Sequence, residues 1–246
     1  MKDCTAATLP PQKSVSKKNR LTRMLLPAMG FVLPLFLNSC GMVARVQNYR
    51  LTAKVEVGGK IYTGSSVQKL SCKSGGGILR DMDVANCYID GEAVPVDVGT
   101  RGKIYIILLS SREDPKTGQL YLGTAEEMLS DLRLNDSLHE KRKMFGSWQV
   151  EPSKYPAMIT FKDSSDPQSV EMLNPSDLSA RFGTDTKFKS LSVELTGNQP
   201  TKGQITALLP WLKTLPVGYL NGRNYQSIDD QSLSAQVSTR DLAYWS

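Results

Sequence analysis

The sequence predicts a β-rich α+β fold: an antiparallel sheet or sandwich carrying two or three helices. Three observations predict it. Apolar and polar residues alternate over 49–57 and 60–70 on either side of Gly58–Gly59, the pattern of a two-residue β-hairpin. The run "KIYIILLS" (103–110) is apolar on both strand faces, which places it centrally in a sheet. Helical patterns are few, two or three along the chain.

The elements follow in chain order. "YRLTAKVEV" (49–57) and "KIYTGSSVQKL" (60–70) form the hairpin, and a loop between Cys72 and Cys87 follows. "GEAVPVDV" (91–98) reads as a strand, "GTRG" (99–102) as a turn and 103–110 as the central strand. After the turn-rich "REDPKTGQ" (112–119), Thr124 and Glu127 make a capping box that opens a helix reaching about residue 143. Its acids come early and its bases late, as the helix dipole favours. "MITFKD" (158–163) and "SVEML" (169–173) pair around "SSDP", and 174–183 is a short helix that Gly183 stops. "KFKSLSVEL" (187–195) is a further strand, and "GQITALLPWL" (203–212) an amphipathic helix broken at Pro210. The organisation is a leader (1–39), a tether (40–48) and a single β-rich domain (49–246).

The net charge of +6 suggests nucleic acid until it is divided along the chain. Lys2, Lys13, Lys17, Lys18, Arg20 and Arg23 lie ahead of Cys40 with Asp3 as their only acid, leaving the rest at +1. The basicity belongs to the leader, and a phosphate-binding surface needs clustered bases on the folded part. Nucleic acid is therefore not an expected partner. The basic stretch, the apolar "MLLPAMGFVLPLFL" (24–37) and the small or polar "NSC" (38–40) have the three-part form of an export signal. As a helix the apolar run spans about 21 Å at 1.5 Å per residue, short of a hydrocarbon core of about 30 Å.

"LNSC" (37–40) resembles the bacterial lipobox, with Leu37 three places before the cysteine and Ser39 just before it; Asn38 is a less usual middle residue. That resemblance implies that Cys40 becomes the mature N-terminus and carries a diacylglycerol on sulfur, usually with an acyl chain on nitrogen. Several chains hold a protein at a membrane far more firmly than one. A signal anchor over 24–44 and a plain cleavable signal remain as alternatives. All three place the domain outside the inner membrane, because the bases stay cytoplasmic. Gly41, where inner-membrane lipoproteins usually carry Asp, favours the outer membrane, facing the periplasm.

Cys4 leaves with the leader, so Cys72 and Cys87 remain, and an even pair in an exported protein reads as a disulfide. Two unpaired buried thiols are the alternative. No cofactor or metal is expected, since two cysteines and a distant histidine are too few ligands for zinc. The spacing of Asp81, Asp83, Asp90 and Glu92 matches no calcium loop.

His139 is the chain's one histidine and lies among charges, which removes nucleophile systems that rely on a histidine base. Ser66 and Lys69 make S-x-x-K, and Lys116, Thr117 and Gly118 make K-T-G, as in penicillin-recognising enzymes. Here the serine sits on a hairpin strand, the K-T-G in a turn, and no S-D-N stands between them. The chain is therefore not expected to be an enzyme. The alternative is an envelope hydrolase working through carboxylates alone, with Asp163, Asp166 and Glu171 as candidates.

"YRLTAKVEVGGKIYTGSSV" (49–67), "GEAVPVDVGTRGKIY" (91–105) and 155–205, capped by "LPWL" (209–212), together resemble a family of uncharacterised proteobacterial envelope proteins. In that family a "TGSSV" hairpin, a "GEAV-VDLG-RG" segment and an "F-D-DP-SVE--DP-DL---FG" block recur in this order. The resemblance spans most of the folded part and implies no activity or catalytic residue. The Cys72–Cys87 segment departs from the pattern. The expected function is that of a lipid-anchored envelope protein that binds an envelope protein or a ligand, with edge strands such as 60–70 as docking sites.

Overall fold

Strand β1 (Ala44–Val57) turns at Gly58 and Gly59, with φ of 55° and 80°, into β2 (Lys60–Ser74). Both residues take the left-handed conformations of the primed hairpin turn, which glycine adopts without steric penalty. The structure, a computed structural model, describes residues 44–74, 85–134, 146–226 and 229–244. All of them belong to the unit Cys40–Ser246. The leader with Cys4, the proposed lipid site Cys40, Asp81, Asp83 and His139 lie outside the described residues.

The chain continues through β3 (Ala85–Glu92), β4 (Val94–Asp97), β5 (Lys103–Glu113), β6 (Leu120–Leu122), helix α1 (Ala125–Asp131), β7 (Ser147–Gln149), β8 (Pro156–Phe161) and β9 (Val170–Leu173). Helix α2 (Ser179–Phe182), β10 (Thr186–Leu195), α3 (Gln204–Leu208), α4 (Thr239–Leu242) and β11 (Ala243–Tyr244) complete it. The strands form two antiparallel sheets. The first has the order β11-β3-β2-β1-β10-β7, and the second β4-β5-β8-β9 with β6 beside β5. The β-rich α+β fold expected from the sequence is what forms, with two antiparallel sheets and four described helices where two or three were expected, three of them about one turn long.

Two cores flank the second sheet. On one side Ile104, Ile106 and Leu108 of β5 meet Tyr49, Leu51, Ala53 and Val55 of β1. On the other, Tyr105 and Ile107 meet Ile159 and Phe161 of β8, Ile205 and Leu209 around α3, and Leu220, Val237 and Leu242 of the C-terminal segment. The doubly apolar "KIYIILLS" thus lies in the middle of a sheet covered on both faces.

Three expectations need correction. Residues 91–98 are not one strand: β3 closes the first sheet at Glu92 and β4 opens the second at Val94. At the join Ala93 donates its N–H to the Leu242 carbonyl and is wholly buried. The capping box at Thr124 and Glu127 forms, but α1 ends at Asp131, and Arg133 has φ 57°. Leu132 and Leu134 are both buried, yet two residues on in a continuous helix point to nearly opposite sides. A reversal at Arg133 lets both face the core. The rest of the predicted helix lies outside the described residues. Finally, β1 starts at Ala44, inside the expected tether.

Candidate functional site

The residues with nominal catalytic patterns are all engaged structurally. Ser66 and Lys69 have opposite strand parity and therefore lie on opposite faces of β2. The Ser66 hydroxyl, buried, donates to the Glu92 carbonyl at 2.9 Å, and Lys69 is ion-paired with Asp90. Lys116 and Gly118 sit in a turn where the Asp114 carboxylate accepts the Lys116 N–H at 2.7 Å. Asp163 and Asp166 each accept the N–H of the residue two places on, at 2.8 and 2.9 Å. These are the local bonds that shape the turn before β9. Glu171 is bridged by Lys162 at 2.9 Å and Arg181 at 3.2 Å. Among the described residues no group of three or more His, Cys, Asp or Glu is placed to hold a metal ion. No described helix is long and apolar enough to cross a membrane.

The signature segments of the sequence meet in pairs where the two sheets adjoin. Gly64 faces the second sheet, where a Cβ would fall 1.9 Å from the Pro95 carbonyl oxygen. Only a glycine lets β4 cross so closely. Gln68 donates to the same Glu92 carbonyl at 2.8 Å. The Glu92 side chain is 1% exposed, and its carboxylate accepts the N–H groups of Gly203, Gln204 and Ile205 at 2.6, 2.9 and 3.2 Å. It thereby satisfies the free donors that open α3. Arg101 donates to the Phe182 carbonyl at 2.7 Å and to Thr186 at 3.1 Å, and pairs with Asp185. That hydrogen bond from Arg101 holds the Asp185 carboxyl below its usual range. "TGSSV" is therefore fastened to "GEAV", and "RG" to "FGTD".

The disulfide forms between Cys72 and Cys87, which oppose each other in the β2–β3 ladder. It links the two strands near the end of their described pairing.

Beside the junction a strand edge stays open. The two-residue turn pairs Val57 with Lys60, so even residues of β2 direct their backbone groups toward β1 and odd ones away. Past residue 68 the far side is taken by β3. Val67 bonds through its N–H to the Thr201 hydroxyl at 2.9 Å and through its carbonyl to the Thr201 N–H at 2.9 Å. Ile61, Thr63 and Ser65 present outward N–H and C=O groups with no partner among the described residues. Along this edge runs an open groove of about 540 Å³ whose walls include Tyr62, Pro95, Gln204, Ala207 and Leu208. Ile61, 47% exposed, stands at its rim.

Sequence reasoning marked 60–70 as an edge but did not divide it, since nothing local in β2 shows that Thr201 and β3 occupy its second half. The groove wall from α3 was missed too. Its only signal was the amphipathic "QITALL", which does not say what the helix packs against. No protein-family model, curated protein or solved structure matches this chain.

Proposed function

We propose that this chain is a lipid-anchored cell-envelope protein that works by binding a partner polypeptide and not by catalysis. The observation that carries this reading is the free edge at Ile61, Thr63 and Ser65 beside its groove. Unpaired strand edges accept an added strand, with main-chain hydrogen bonds giving affinity and flanking pockets giving selectivity. The occupant proposed is an extended segment of another envelope protein, its apolar side chains set against Ala207 and Leu208. The nominal catalytic groups support the same reading, since Ser66, Lys69, Asp163, Asp166 and Glu171 are all held in structural bonds.

The anchor part of the reading rests on "LNSC" and Cys40 for the lipid, and on the basic leader and Gly41 for the periplasmic face of the outer membrane. Feeding cells an alkyne palmitate analogue and fractionating their membranes tests it. The expected result is label on the wild type in the outer-membrane fraction and none on Cys40→Ser. An unlabelled wild type that retains 1–39 would overturn the lipid anchor.

A further inference from the structure

A second site, lined by different residues from the groove along β2, lies at the start of β5. The turn 100–103, the start of the turn after β8 and Arg181 of α2 enclose an open cleft of about 300 Å³. Its lining residues include Arg101, Lys103, Lys162 and Arg181, and no acid among the described residues lines it. These four cations come from three separate segments, so no basic run announces them. Their acidic partners sit outside the cleft: Asp185 for Arg101, Asp97 for Lys103 at 3.4 Å, and Glu171 for both Lys162 and Arg181. Three carboxylates against four cations leave one positive charge in excess. The terminal nitrogens of Arg181 make no hydrogen bond among the described residues, and Lys162 is 69% exposed along its side chain. The two lysine pairs are exposed and hold their cations weakly. The Arg181 Nε and Glu171 Oε2 atoms of the third pair are buried, which leaves the terminal nitrogens of Arg181 as its free donors.

The second, independent observation is Tyr105. It also lines the cleft, is 1% exposed, and its hydroxyl has no hydrogen-bond partner among the described residues. A buried hydroxyl without a partner destabilises a fold, and such a group in a native protein calls for an explanation. Burial, with the nearby charge of Asp97, raises the Tyr105 pKa, so the phenol keeps its proton and remains a donor. The ring is fixed edge-on against Phe161, with centroids 5.6 Å apart.

We infer that this cleft binds a small phosphate-bearing ligand, with Lys103, Lys162 and Arg181 supplying charge and the Tyr105 hydroxyl a neutral hydrogen bond. A tetrahedral anion with several acceptor oxygens suits donors that converge from different segments. Arg101 is a positioning residue, since its guanidinium already fastens the 182–186 turn.

The test is an NMR titration of the full chain in zwitterionic micelles, reading the amides of Thr100, Gly102, Lys162 and Ser164. Two probes are used: inorganic phosphate, and glycerophosphoglycerol as the deacylated headgroup of an anionic phospholipid. Saturable shifts with at least one probe are expected. Preference for phosphate assigns a soluble ligand, and preference for the diester a lipid headgroup. Tyr105→Phe should raise the thermal midpoint while weakening binding about tenfold, the loss of one hydrogen bond to a charged group. Arg181→Gln and Lys162→Gln should each weaken binding severalfold. The proposal is overturned if neither probe gives saturable shifts, or if Tyr105→Phe binds as tightly as wild type, which would leave adventitious surface ion binding only.

Discussion

In β1 the buried Tyr49, Leu51, Ala53 and Val55 alternate with half-exposed Arg50, Thr52 and Glu56 and exposed Lys54. In β5 Ile104, Tyr105, Ile106 and Ile107 are all buried, with no solvent face at all. The pairing is antiparallel in both sheets, yet β1 has a wet face and the middle of β5 has none. The second sheet is the structural middle of the molecule, clamped between two cores. The first sheet keeps both a solvated face and an open stretch of edge, the stretch on which the proposed partner strand would pair. The open edge therefore sits on a sheet that also packs into the first core, at the stretch of β2 where solvent-facing side chains and unpaired main-chain groups coincide.

The contrast is broken most severely in β5. Ile106→Ala and Ile107→Ala are each expected to cost about 3 kcal/mol, since both sides of this strand are packed. In β1, Leu51→Ala should cost a similar amount and Lys54→Ala less than about 0.5 kcal/mol. Urea denaturation of the four variants checks this. Unequal costs for Ile106 and Ile107 would show that one face of the second sheet is not truly closed. Replacing both Cys72 and Cys87 with Ala should cost about 3 kcal/mol, the chain-entropy value for a loop of this length. A smaller drop would mean that the unfolded chain is already constrained there.

Gly64→Ala tests the crossing of the sheets, because its Cβ would meet the Pro95 carbonyl. The expected loss is about 2 kcal/mol, the scale of an overpacked core, measured by the denaturation midpoint. Thr63→Pro removes an outward N–H from the free edge, where proline is tolerated, so its cost should stay below about 1 kcal/mol. The smallest effect concerns Asp241, whose carboxylate accepts the Ser238 N–H at 2.7 Å. Burial raises its pKa despite that bond. A carboxyl with a raised folded pKa gives stability that is present at acid pH and lost as pH rises through that pKa. Asp241→Asn should therefore be neutral or slightly stabilising at neutral pH and flatten the pH–stability curve above the ordinary aspartate range.

Much of the fold was legible because its signals are local. Gly58–Gly59 between alternating strands, the Thr124/Glu127 box and the stop at Gly183 each act within a few residues, and each appears where the sequence places it. Strands β7 and β11, of three and two residues, carry no periodicity and exist only because β10 and β3 offer them an edge. The change of sheet at Ala93 was hidden for a related reason. Its N–H is satisfied by Leu242, far along the chain, and "GEAVPVDV" shows no break. The edge and the basic cleft lie at the same limit. Val67 is covered by Thr201, and Lys103, Lys162 and Arg181 are gathered from different turns. Such features belong to the tertiary arrangement, while sequence pattern reports faces and caps.

The measurement that bears most directly on binding through the β2 edge is site-specific photo-crosslinking in intact cells. A photoreactive amino acid is placed at Ile61 in one strain and at Lys54, on the solvent face of β1, in another. The account predicts a discrete adduct from position 61 only, abolished when Thr63→Pro is added while the protein stays folded. An identical adduct from position 54, or one from position 61 that survives Thr63→Pro, would contradict it.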